Sequence, residues 1–334
     1  MWRGLRAVDF RTIVPIPDEG VRIDATHKIA LLGSCFAHHV GGRMRRAGLD
    51  VCAEAFGTLY NPASVAAACR VMAGLEMPGA GWLVQGHGLW HSWMHDGSFS
   101  ALDRDDCLRR MHEACHRCQE ELPRLDVLCI TLGTNHCYVH RGWGRVVANC
   151  HKQPAADFSE QVLCVDAVVQ LLDEALQALW QVRPTLQVVF TVSPYRYAKY
   201  GMHASQLGKA VLLLATDELC RRHEGRCSYF PAYELVLDEL RDYRYYAPDM
   251  LHPSEVAADY IWERFAESRL TPAARELARQ WQPLWRAAQH RPLHADDPAH
   301  AAFVRTTLQR MELLAARYPH LWHNDDYIRL KASL

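Results

Sequence analysis

Short apolar runs closed by glycine or proline alternate with stretches of helical periodicity over most of the chain. Ile29-Ala30-Leu31-Leu32 reads as a buried strand closed by Gly33, and helical spacing runs from Phe36 to about Ala47, where Gly48 stops it. A second strand is predicted over 51–56, closed by Gly57, and Asn61-Pro62 opens a helix to Val71 with proline in its first turn. Further strands are predicted over 127–132, 188–192 and 227–230, with helices over 101–121, 159–182, 204–223 and 254–267. Two segments break the alternation. Aromatic runs on either side of Gly86-His87-Gly88 read as a hairpin between Trp82 and Met94. Beyond Leu270 only helices are predicted, over 273–288 and 299–317, with a break at Pro292 and Asp296-Asp297-Pro298.

Apolar strands separated by helices describe a parallel sheet covered on both faces, and such sheets bind ligands beyond the carboxyl ends of their strands. The residues to watch are therefore Gly33-Ser34-Cys35, Gly57, Gly133-Thr134-Asn135 and Ser193-Pro194.

The 334 residues are enough for one large domain or two small ones, and 49% hydrophobic with 22% charged places the chain among globular proteins. A formal charge of −1 argues against a dedicated nucleic-acid binder. No apolar run reaches the ~18 residues of a membrane span, and no apolar core follows the basic start, so a cytoplasmic protein with reduced thiols is expected. The 12 cysteines and 19 histidines hint at metal or thiol chemistry. Closer reading weakens the hint. Cys115-His116-Arg117-Cys118, with His112 nearby, sits on a charged helix without a second ligand pair. His87, His91 and His95 fall in strand and turn, which scatters them. No metal and no cofactor are expected.

Ser34 follows a strand-end glycine and opens a helix, so its hydroxyl either caps that helix or stands at the lip of the sheet as a nucleophile. Asp249-Met250-Leu251-His252-Pro253 can place a carboxylate against an imidazole on a tight turn, which orients a general base. Cys35 is read as filler, since adjacent residues at a helix start point in different directions.

Gly33-Ser34-Cys35-Phe36-Ala37 spells GSCFA, and the chain resembles the bacterial GSCFA-domain family. Matching stretches follow in family order: Phe10-Arg11-Thr12, Phe56-Gly57-Thr58-Leu59-Tyr60-Asn61-Pro62, Val147-Ala148-Asn149-Cys150-His151-Lys152, Phe190-Thr191-Val192-Ser193-Pro194, Glu239-Leu240-Arg241-Asp242-Tyr243-Arg244, and the block from Asp249 to Ser254. The resemblance covers residues 10–268, leaving 269–334 as a C-terminal helical extension outside it. That family is similar in turn to the SGNH (GDSL-like) hydrolases, which implies a three-layer α/β/α sandwich with a mainly parallel, flavodoxin-like sheet. The resemblance further implies Ser34 as nucleophile, His252 as base and Asp249 as its orienting carboxylate. It assigns the oxyanion hole to the backbone N–H groups of Ser34 and Gly57 and the side chain of Asn135, although Glu54-Ala55 departs from the expected Asn-Pro. His91 and Trp93, with Trp90, are expected to wall the substrate pocket; His151 either joins them or hydrogen-bonds a loop structurally, and Arg196 either holds an anionic or sugar group or packs across the neighbouring tyrosines on the surface. The function this implies is an ester hydrolase or O-acyltransferase acting on an acyl ester of a carbohydrate or small metabolite, with no nucleic-acid or membrane partner and an oligomeric state left open. The rival is a non-catalytic binding protein that keeps the fold.

Overall fold

The computed structural model describes residues 11–52, 56–290 and 298–333. In chain order its elements are β1 (Lys28–Gly33), α1 (Cys35–Arg46), β2 (Asp50–Val51), α2 (Pro62–Met72), β3 (Leu83–Gly86), β4 (Leu89–Ser92) and α3 (Arg104–Glu121). There follow β5 (Val127–Leu132), β6 (His136–His140), β7 (Arg145–Val147), β8 (Phe158–Val162), α4 (Val165–Val182), β9 (Gln187–Val192), α5 (Met202–Arg222) and β10 (Cys227–Tyr229). The chain closes with α6 (Ala232–Glu234), α7 (Glu255–Arg269), α8 (Pro272–Ala288), α9 (Pro298–Arg317) and α10 (Asp325–Lys331).

Five strands pair in the order β10-β9-β5-β1-β2, every pair parallel. Alternate residues of these strands serve opposite faces, as the two-residue period requires. Ala30, Leu32, Leu128, Ile130, Val188 and Phe190 pack with residues of α2 to α5. Ile29, Leu31, Val127, Cys129 and Val189 pack with α1, α7 and the C-terminal helices. The result is the three-layer α/β/α sandwich expected from the pattern. Numbered by appearance, the strand order is the doubly wound 2-1-3-4-5, whose connections reverse direction between β1 and β5. A ligand crevice belongs there, beyond the carboxyl ends of those two strands.

The helical tail shares the core of the second face. Trp281 is fully buried, and a Cβ on Gly48 (φ +80°) would stand 2.7 Å from its ring. The His320 imidazole donates to the Gly48 carbonyl at 2.8 Å, so the tail seats directly on the first strand–helix unit.

Three expectations need correction. The strand predicted over 51–56 is the short β2, and residues 53–55, including Glu54-Ala55, lie outside the described residues. The helix predicted over 159–182 starts only at Val165, because the stretch before it is β8. There Phe158 is buried and Glu160, Gln161 and Val162 are exposed, a pattern too short to separate the two periods. The antiparallel sheet β7-β6-β8 was not foreseen at all. Residues 1–10, Phe10 among them, and Pro292, Asp296 and Asp297 also lie outside the described residues. Among the described residues no helix is long and apolar enough to cross a membrane.

Candidate active site

Gly33 ends β1 with φ +133°, and a Cβ there would lie 2.1 Å from the Thr131 carbonyl oxygen. Only glycine fits, and the sharp exit it permits places Ser34 at the mouth of the switch-point crevice. Backbone bonds then lash three strand-end loops together. Ser34 N–H donates to Thr131 O at 3.1 Å, Leu59 N–H to Gly33 O at 2.7 Å, and the Gly133 and Thr134 N–H groups both donate to Tyr60 O at 2.9 Å.

Ser34 occupies the N-cap position of α1, yet its side chain makes no capping bond. The residue is 2% exposed, and its Oγ has no hydrogen-bond partner among the described residues. A buried hydroxyl left unpaired costs about 1–3 kcal/mol, so a native fold that keeps one invites an explanation. The bland alternative, a serine placed to cap the helix, is thereby removed. Ser34 lines a cavity of about 400 Å³ together with Cys35, Asn61, Thr134, Tyr195 and His252. Tyr60, Tyr138, Tyr197 and Tyr200 give it an aromatic wall.

The 249–252 turn carries the His252 imidazole to the cavity. Met250 takes φ +59°, which folds the chain tightly enough for the Leu251 and His252 N–H groups to donate to Asp249 Oδ1 at 2.9 and 3.0 Å. Asp249 Oδ2 accepts from His252 Nδ1 at 2.6 Å. The His252 N–H bond, the imidazole and the Leu251 N–H pull the Asp249 carboxyl down to about 2. A tautomer that donates from Nδ1 to Asp249 leaves Nε2, which has no hydrogen-bond partner among the described residues, as the atom a general base would use. Tyr195 packs against the ring with centroids 4.3 Å apart.

Several sequence expectations land elsewhere. The Ser34 N–H is committed to Thr131 O and is not a free oxyanion donor. Gly57 lies against the Asp96 carboxylate, where a Cβ would be 2.2 Å from Asp96 Cγ, and it does not line the cavity. Burial works against ionisation of Asp96, but bonds from Ser98 and the Thr58 N–H outweigh it and hold its pKa below the usual value. An oxyanion would meet that negative charge. Asn135 is buried with its amide N–H donating to Leu163 O at 2.9 Å, and its Oδ1 lies against Gly208 of α5, outside the cavity.

His91, Trp93 and His151 form a layer behind the cavity. His91 accepts from Ser100 Oγ at 2.6 Å, donates to Gly86 O at 3.0 Å and stacks on His151. His151 donates to Ser92 O at 2.7 Å, and burial lowers its pKa. Trp93 packs on His140 and Phe158, while its carbonyl accepts from Ala148 N–H at 2.8 Å. All three shape the strip 147–150, of which Val147, Ala148, Asn149 and Cys150 do face the cavity. Arg196 braces the base-bearing turn: its N–H donates to Leu251 O at 3.1 Å and its guanidinium to Met250 O at 3.2 Å. It lines a neighbouring cavity, not that of Ser34. Cys35 faces the Ser34 cavity after all, with burial raising its thiol pKa.

Asn61 is the cavity residue that sequence reasoning passed over. As N-cap of α2 its Oδ1 accepts from Ser64 N–H at 2.9 Å, which fixes the amide plane and leaves Nδ2 as the donor end. The Asn-Pro pair announced a helix start and hid this second use.

No curated protein matches the chain. A model described as GSCFA family matches residues 28–265, and a second, described as GSCFA domain protein, C-terminal domain, matches residues 281–327, so the tail set outside the resemblance has a counterpart of its own. With the first match spanning more than half of the sequence, the chain belongs to the GSCFA family.

Proposed function

We propose that the protein is a serine-dependent ester hydrolase or O-acyltransferase of the SGNH type. The observation that carries this is the unpartnered, buried Ser34 hydroxyl in the same cavity as an imidazole already oriented by Asp249. Ser34 Oγ attacks the acyl carbonyl while its proton passes to His252 Nε2. The alcohol then leaves, taking that proton, and water or an acceptor alcohol resolves the acyl-enzyme by the reverse sequence. Asp249 stays ionised throughout and stabilises the imidazolium. Asn61 Nδ2 is the side-chain donor for the oxyanion, a neutral group aimed by its capping bond and needing no reorganisation. The substrate is an acyl ester of a carbohydrate or small metabolite, held by the tyrosine wall.

A fluorophosphonate probe tests this. The expected result is labelling of the wild type at Ser34 and none in Ser34→Ala or His252→Gln. A correctly folded wild type that takes no label, or a label that persists on Cys35 in Ser34→Ala, overturns the assignment.

A further inference from the structure

A second cavity, also of about 400 Å³, adjoins the Ser34 cavity across the ring of Tyr195, which lines both. Its wall carries Lys209, Arg196 and Arg241 against a single carboxylate among the described residues, Asp242. That carboxylate is already engaged by Arg244, through the backbone N–H at 2.9 Å and the guanidinium at 3.7 Å.

Lys209 is the unusual member. It stands 2% exposed on α5, and its ammonium donates only to two strand-end carbonyls, Gly133 O at 2.6 Å and Ser193 O at 2.7 Å. The rings of Tyr197 and Tyr233 lie within 6 Å of it. Among the described residues it forms no ion pair with a carboxylate. A buried ammonium without a counter-ion is costly, and burial presses this one down to about 7. At the mouth, Arg241 forms no hydrogen bond or ion pair among the described residues. Arg196 bonds to a carbonyl and a thioether sulfur, which leaves its charge unneutralised. Three cations thus line one solvent-open cavity against a single carboxylate among the described residues, which is itself paired with Arg244.

We infer that this cavity is a subsite for an anionic group, a phosphate or carboxylate, with Lys209 as its buried charge and Arg241 and Arg196 at its mouth. The ligand supplies the counter-charge that the fold withholds, and guanidinium groups match the planar, multi-oxygen geometry of such anions. As a subsite it rests on the acyl-transfer reading of the neighbouring cavity: the anion would mark the alcohol portion of the ester, or the acceptor, on the far side of Tyr195. Anion binding itself does not depend on turnover.

Calorimetric titration of the full chain with phenyl phosphate, benzoate and benzyl alcohol tests it. Either anion should bind the wild type and benzyl alcohol should not. Binding should weaken about tenfold or more in Arg241→Glu and in Lys209→Met, as expected for lost charge-assisted bonds. Arg241 is exposed, so its variant folds even if Lys209→Met does not. Anion affinity unchanged in Arg241→Glu, or benzyl alcohol binding as well as the anions, overturns the inference. Ser34→Ala, which takes no fluorophosphonate, should bind phenyl phosphate like the wild type. Loss of labelling alone therefore removes the acyl-transfer reading, and loss of anion binding alone removes the subsite.

Discussion

Replacing Lys209 by methionine removes a charge while keeping the length of the side chain, and the structure sets the size of the response. Burial moves the Lys209 pKa from the ordinary 10.5 to about 7 in the folded chain. Between those two values the unfolded chain binds more protons than the folded one, so the wild type gains stability as pH rises through the window. The methionine variant has nothing to titrate there. From pH 7 to 9 the gain is two pH units at about 1.4 kcal/mol each, or about 3 kcal/mol, with a ceiling of about 5 kcal/mol near pH 10.5. Urea unfolding of both proteins at pH 6 and pH 9 measures it, because groups common to both cancel in the difference. The wild type should gain about 3 kcal/mol on the variant between the two pH values. A stability difference that stays constant within about 1 kcal/mol would show that Lys209 does not lose its proton near neutrality, and the account of it as an uncompensated buried charge would fail.

Asn61→Asp keeps the capping acceptor of α2 but replaces the donor with a charge that repels an oxyanion, so turnover of a model acyl ester should fall about 10²–10³-fold while the melting temperature holds. A parallel loss of stability would mean that Asn61 matters only as a cap. Asp249→Asn should lower turnover by about 10⁴-fold with the fold intact, since an amide no longer holds the His252 proton on Nδ1; stopped-assay rates against circular dichroism separate the two effects. Trp281→Ala should cost about 3–5 kcal/mol in a urea titration monitored over the whole chain, because the indole fills the joint between tail and sheet. A separate early transition for α8 to α10 would contradict the shared core.

The strands that build the crevice were legible because burial on both faces leaves them few polar positions, Thr131 and Thr191 among them. β5 was placed to the residue and β9 to within one, since six consecutive apolar or small residues bounded by turns admit few other readings. The β7-β6-β8 sheet was invisible for the opposite reason. Its strands mix His136, Tyr138 and His140 with Cys137 and Val139, and most of their residues are only half-buried, so neither period dominates. Motif and position also differ in what they reveal. The Glu239 carboxylate, in a stretch that matches the family pattern, is fully buried, accepts from Val14 N–H and gathers Arg11, Arg264 and Tyr260 around it. That is a structural anchor, outside the Ser34 cavity.

A strand-end position says that a residue is near the crevice but not where its side chain turns, and the oxyanion hole shows the consequence. Gly57 was expected to close a strand and Asn135 follows the end of β5, yet β2 stops at Val51, Asp96 occupies the space beside Gly57, and α5 lies against the side chain of Asn135. The donor that does face the cavity, Asn61, was held there by a helix cap, a local device that seemed explanation enough. Lys209 carried a signal of a different kind that could have been read. It lies on the same face of α5 as Leu212, Thr216 and Leu219, all buried, so a lysine there sits squarely in an apolar stripe. A charge on the core face of a helix is expensive enough that the fold must bond it, neutralise it or leave it for a ligand. Carbonyls at the ends of β5 and β9 do the first, no acidic side chain among the described residues does the second, and the cavity beside Tyr195 is open for the third.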